Sequence, residues 1–259
     1  MTGLEARIEG VGFWASGLPS WESARGFASG GTAAEDAPRK PSPQLLAANE
    51  RRRAPETVAV ALEVALAACS AAGRDPKQLP SVFASTHGDL AITDYMAETL
   101  AADPRAISPT RFHNSVHNAA AGYWTIGAGC MAAATAISAG TASFAQGLLE
   151  ALTQLATGDE AVLLAAYDIG AKGPLGAMTP SDGLLGGALV LSRAAGGTRL
   201  RASLVDGSPG AADGPLATRC GGNAMAPMLP LFDALATGGD LALLQAGPGS
   251  VLRVELAHG

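Results

Sequence analysis

Residues 112–150 read FHNSVHNAAAGYWTIGAGCMAAATAISAGTASFAQGLLE, and their pattern decides the fold. Residues 135–138 (TAIS) have the look of a short buried strand, and residues 139–141 (AGT) make a tight turn of small side chains. From residue 142 to 155 the apolar residues Phe144, Leu148, Ala151, Leu152 and Leu155 recur at helical spacing. A sharp strand-to-helix turn is where many enzymes expose a nucleophile, because it lifts one side chain above the free N–H groups of a helix N-terminus. Here the apex is Gly140, which has no side chain for chemistry.

Upstream of this unit, residues 79–85 (LPSVFAS) form a strand that runs into Thr86-His87-Gly88-Asp89, and a helix follows over residues 90–101. His87 suits either acid/base work or a loop hydrogen bond to backbone. Val58, Leu62, Ala65, Leu66 and Cys69 predict a helix that starts after Pro55 and stops before Gly73, with Cys69 as core. Arg51-Arg52-Arg53 just before it reads as a solvated face or as a docking site for an acidic partner or a phosphate. Residues 6–14 alternate as a first strand, and residues 20–42 read as an irregular loop.

Downstream, residues 161–167 (AVLLAAY) are an apolar run typical of an interior strand, and residues 183–192 are a second. Ala194-Ala195-Gly196-Gly197 reads as a hinge. Beyond it come a strand over 200–205, a loop over 207–215, a helix over 225–235 and a strand pair over 241–246 and 250–256. Strands alternating with helices imply a layered α/β protein.

Composition narrows the function classes. At 259 residues, 48% of them apolar and only 15% charged, the chain can bury a large core. Its net charge of −6, with no basic cluster beyond the three arginines, argues against nucleic acid as a partner. Three widely spaced cysteines, Cys69, Cys130 and Cys220, form neither a CxxC pair nor a metal pattern with the histidines. The N-terminus has no signal layout and no apolar run has transmembrane length, so a cytoplasmic protein without a metal is expected.

Several segments together resemble β-ketoacyl synthases of the thiolase fold, and within them the short N-terminal-like proteins of aryl polyene pigment pathways. The family's Pro-Asn-x-x-Ala-Gly segment is matched by His117-Asn118-Ala119-Ala120-Ala121-Gly122, and its Thr-Ala-Cys-x-Ser elbow by residues 138–143 (SAGTAS). Residues 181–191 (SDGLLGGALVL) resemble its Asp-Gly segment, and residues 50–55 (ERRRAP) look like the short subgroup. The resemblance implies a thiolase-like α/β/α/β/α layering with a truncated C-terminal half. Residues 1–193 would be the ketosynthase N-terminal-like half, and residues 194–259 a reduced C-terminal half completing the same unit.

The departures carry the functional reading. The nucleophilic cysteine of the family falls on Gly140, one catalytic histidine falls on Asn223, and the His-Gly-Thr-Gly-Thr motif of the other is missing. A Cys-His-His site decarboxylates a malonyl thioester and directs the carbanion onto an acyl-cysteine. Without all three groups, the resemblance implies a non-catalytic, chain-length-factor-like subunit in a heterodimer with an active ketosynthase, needing no cofactor. An acyl carrier protein would reach it through that partner. Residues 131–138 would pair with the partner, with Met131, Thr135, Ile137, Ser138, Thr141 and Phe144 as interface or tunnel residues. The alternatives are an acyltransferase whose nucleophile has moved to Cys130, paired with His113 or His117, and a free-standing carrier-protein binder docking through Arg51, Arg52 and Arg53. Ser143 has no evident base, and Cys220 would sit at the rim of the vestigial site.

Overall fold

The computed structural model describes residues 3–259. Eight strands join in one sheet: β1 (Leu4–Ala15), β2 (Ser81–Ala84), β3 (Ala134–Ile137), β4 (Ala161–Asp168), β5 (Leu185–Ser192), β6 (Thr198–Asp206), β7 (Leu241–Gly247) and β8 (Ser250–Ala257). Their order is β3-β2-β4-β5-β1-β6-β8-β7. β2 runs parallel to β3 and β4, and every other neighbouring pair is antiparallel. The helices are α1 (Trp21–Ala28), α2 (Ala48–Arg53), α3 (Glu56–Ala72), α4 (Leu90–Ala102), α5 (Pro109–Asn114), α6 (Ala119–Ala128), α7 (Ser143–Thr157), α8 (Gly173–Met178), α9 (Pro215–Cys220) and α10 (Leu229–Thr237).

Every residue of β4 and β5 is buried, as strands covered on both faces require. One face packs on α3 and α6 through Val60, Val64, Trp124 and Phe83. The other packs on α7 and α10 through Leu148, Leu152, Phe144 and Phe232. α3 lies against β1 at backbone distance, since a Cβ on Gly12 would stand 2.0 Å from the Val64 carbonyl oxygen. α7 packs on β2 and β4, and its Gln146 side chain donates to the Ala246 carbonyl of β7 at 2.7 Å. The far end of the sheet therefore curls back onto the same helix. This is the thiolase-like layered α/β fold, with its β layers supplied by one continuous sheet. The outer face of β1, β6 and β8 carries Glu5, Arg199, Arg201, Arg253 and Glu255 in a ladder of ion pairs between 2.7 and 3.9 Å.

Several elements differ from the sequence reading. Residues 20–42 are not wholly irregular: Ser20 and Ser23 form a reciprocal capping box that starts α1, where Ala, Gly and Ser composition hid the helix. α5, α6 and α9 are helices without a strong apolar stripe. The helix expected from residue 225 begins at Leu229, because Pro227 and Pro230 hold a single 3-10 turn before it. Residues 194–197, expected to be a hinge, are a short bent crossover that carries the chain past β1, since β5 and β6 lie on either side of it in the same sheet and run in the same direction. β3 is not buried either. It is the edge of the sheet, and none of its residues is fully covered.

Candidate functional site

The C-terminal ends of β2, β3 and β4 converge where a thiolase-like fold places its chemistry. After β3 the chain turns through Gly140, at φ +58°, into one 3-10 turn and then α7. A left-handed φ favours glycine. Space is not the constraint, because a Cβ built on Gly140 meets nothing within 4 Å. The turn is clasped by Ser143, whose Oγ accepts from Ala139 N at 2.9 Å and donates to the Gly140 carbonyl at 2.7 Å. Ser143 is thereby a cap for the turn and not an activated hydroxyl. The apex presents backbone and no nucleophile.

Beside it, Asp168 at the end of β4 is completely buried. Its carboxylate accepts from Ser85 Oγ at 2.7 Å and from Thr86 N at 2.9 Å. Burial pushes this carboxyl above the ordinary range, against the pull of those hydrogen bonds and of nearby His87. His87 has a buried Nε2 with no partner. His117 Nε2 donates to the Ser85 carbonyl at 2.9 Å. Thr86 ties the cluster to the elbow, its carbonyl accepting from Ser138 Oγ at 2.9 Å. None of Ser85, Thr86 or Asp168 stood out in the sequence. Only the parallel pairing of β2 with β4 brings them together.

Asn223 is buried. Its amide donates to the carbonyls of Asp182 at 2.9 Å and of Asp168 and Gly183 at 3.3 Å, while its oxygen accepts from Met225 N at 2.9 Å. Every polar atom of the side chain is committed to backbone, leaving it no capacity to move a proton. A groove of about 750 Å³ opens alongside, lined by Thr141, Asn223, Ala226, Pro227, Pro230 and Leu243 among others. Its wall is mostly apolar and holds no titratable pair poised for acid/base work.

The other sequence candidates separate into distinct places. Cys130 is 3% exposed and its thiol donates to the Leu79 carbonyl at 3.5 Å. His117 is engaged elsewhere and His113 rests on the Tyr123 ring, so the structure does not assemble the thiol–imidazole pair a relocated nucleophile needs. Cys69 is core, and burial pushes its thiol up to about 12. Cys220 is half-buried. The three arginines do not share one patch: Arg52 bonds Asn49, Arg51 lies by Glu63, and Arg53 lines a separate groove. Phe144 is 1% exposed and packs on Phe232 with ring centroids 6.1 Å apart, so in this chain it is core and not surface.

Of the remaining interface candidates, Thr135 and Ile137 belong to β3, the edge strand, Met131 precedes it, and Ser138 and Thr141 follow it. Met131 is 96% exposed, Thr135 and Ile137 are half-buried, and Ser138 and Thr141 are exposed. Phe112, Val116 and Ile126 add exposed apolar side chains from α5, the α5–α6 connection and α6. An unpaired strand edge flanked by large apolar residues is ordinarily covered by another chain. Among the described residues no group of His, Cys, Asp and Glu is placed to hold a metal ion, and no helix is long and apolar enough to cross a membrane.

Comparison with solved structures shows the same fold. A chain of the ketosynthase (ApeO) in complex with its chain length factor (ApeC) from Xenorhabdus doucetiae is 24% identical, with TM-score 0.77, over 97% of this chain and 99% of that one. A chain of the AntDE:AntF complex, a type II acyl-carrier protein with its ketosynthase, gives TM-score 0.76 at 12% identity over the whole of both chains. The ishigamide ketosynthase/chain length factor gives 0.72 at 13% identity over 99% of each. No curated protein matches the sequence. Residues 21–222 match the family model described as beta-ketoacyl synthase, N-terminal domain. By that match, which spans most of its length, the chain belongs to the β-ketoacyl synthase family.

Proposed function

We propose that this chain is a non-catalytic, chain-length-factor-like subunit that pairs with an active β-ketoacyl-acyl-carrier-protein synthase. The observation that carries the reading is the elbow: where the family needs its cysteine, Gly140 offers a well-formed turn, room for a side chain, and none. Asn223, spent on backbone carbonyls, argues the same way. The open β3 edge supplies the means of pairing, a second chain extending the sheet through residues 131–138. Two of the similar structures carry chain length factors in their names.

In this role the subunit completes its partner's fold and closes the far end of the acyl tunnel, limiting product length. The pathway we favour is fatty-acid-like elongation of an aryl polyene in the cytoplasm, with the acyl carrier protein docking on the complex through the partner. Residues 1–193 act as the N-terminal half of a synthase and residues 194–259 as its reduced C-terminal half.

The test is co-expression with a β-ketoacyl-acyl-carrier-protein synthase from the same organism, followed by size exclusion with light scattering. A stable one-to-one complex, with condensation activity only when both chains are present, is the expected outcome. A lone chain that stays monomeric beside that ketosynthase and leaves its activity and products unchanged would overturn the reading.

A further inference from the structure

A second groove lies on the far side of Asp168's neighbourhood, about 660 Å³ in volume, between the N-termini of α3 and α4, helix α5 and the segments 169–172 and 183–184. Three cations line it: Arg53, Arg111 and Lys172. All three are exposed, and among the described residues none of them is in an ion pair, on a chain whose net charge is −6. Arg111 is held in place by stacking on the Tyr95 ring, 4.0 Å from its centroid, while the Tyr95 hydroxyl accepts from Ser108 N at 3.2 Å.

The two carboxylates on the same walls are already engaged. Asp89 caps α4 by accepting from Ile92 N at 3.0 Å and also accepts from Thr57 Oγ1 at 3.1 Å, and Glu56 pairs with Lys40. The seventeen-residue helix α3 opens at Pro55 and Glu56 on this groove, and no side chain caps it. Its first N–H groups favour an anion there. Asn114, 5% exposed, has a buried side-chain oxygen with no partner and lies on the groove wall. The rest of the lining is apolar: Pro55, Ala91, Ile92, Ile169 and Leu184.

We infer that this groove binds a phosphate monoester with an apolar tail. A carboxylate brings a single charge, whereas a phosphate monoester carries close to two and accepts from a guanidinium fork and an ammonium together. The apolar lining takes the tail. The site shares no residue with the Gly140–Asn223 elbow, so it stands whether or not the chain pairs with a ketosynthase.

The experiment is calorimetric titration of the full chain, alone or in its complex, with octyl phosphate and with inorganic phosphate. Octyl phosphate should bind saturably, more tightly than inorganic phosphate, and less tightly as salt rises. The double variant Arg111→Gln/Lys172→Gln should lose about tenfold in affinity for each cation removed. The control Arg199→Gln/Arg201→Gln makes the same change of charge on the outer sheet face and should bind as the wild type does. Absence of saturable octyl phosphate binding, or equal losses in the two double variants, would overturn the assignment.

Discussion

The Asn223 side-chain amide sits 2.9 Å from the Asp182 carbonyl oxygen, and in that contact a buried polar side chain serves as a structural brace. The side chain holds the loop of residues 181–183 against residues 222–225 through four hydrogen bonds. Asn223→Ala should therefore cost about 1–3 kcal/mol of stability, the penalty of leaving buried backbone groups unpaired. Urea unfolding of the two proteins would read it. A change below a few tenths of a kcal/mol would show that these bonds are replaced by water.

Gly140→Cys places a thiol at the apex of the strand-to-helix turn, where the proposed function holds that one has been lost. With open space around the Cβ, the only expected cost is that of a left-handed φ in a residue other than glycine, about 1 kcal/mol. The variant should fold and its thiol should alkylate with iodoacetamide. It should still fail to condense acyl and malonyl thioesters, because Asn223 supplies no base. Turnover by this variant alone would refute the account of the decayed site.

The exposed rim of β3 is expected to be the energetic centre of partner binding. Ile126→Asp combined with Met131→Asp should leave the melting temperature of the lone chain nearly unchanged, since these side chains are 77% and 96% exposed. It should weaken the heterodimer by more than tenfold, as burying each large apolar side chain contributes about 1.5–3 kcal/mol. Light scattering across a dilution series measures this, and an unaffected complex would move the interface elsewhere.

Asp168 gives the protein a pH signature. Burial holds its carboxyl above the ordinary range, so the folded state binds the proton more tightly than the unfolded chain does. Stability from such a group is fully present in acid and is lost as pH rises through the folded value. Asp168→Asn can keep both contacts, its oxygen accepting from Thr86 N and its NH₂ donating to Ser85 Oγ, and it carries no charge to desolvate. Relative to this variant, the wild type should lose stability progressively as pH rises from the carboxyl range toward neutrality. Denaturant unfolding at a series of pH values would show it, and parallel curves would mean that the carboxylate is fully compensated by Ser85, Thr86 and His87.

Local pattern carried much of the architecture. The apolar run 161–167 became β4 and the stripe from Val58 to Cys69 became α3, because a run or a stripe that must be buried leaves little choice of conformation. Gly140 was legible as the empty apex for the same reason: a strand, a tight turn and a helix in succession fix where the apex lies. What stayed hidden depended on neighbours. β3 has the composition of a core strand, yet its outer edge is open because none of the described residues pairs with it. Phe144 looked like a tunnel residue by its place near the elbow, and α10 turned it into core. The Ser85–Asp168 contact joins residues 83 positions apart, and Arg53, Arg111 and Lys172 come from three separate segments. Such clusters have no signature in a linear reading.

β1 is shared along its length, pairing with β6 over Leu4–Ile8 and with β5 over Arg7–Ala15. β1 is thus made before both of its sheet partners, and its ladder cannot close until residues 185–202 have followed it. Contacts of such long sequence separation form slowly and leave strand edges open meanwhile. Folding during synthesis is therefore delayed for the opening segment in particular, and a nascent chain stalled before β6 would hold the Leu4–Ile8 edge open to aggregation or to chaperone capture.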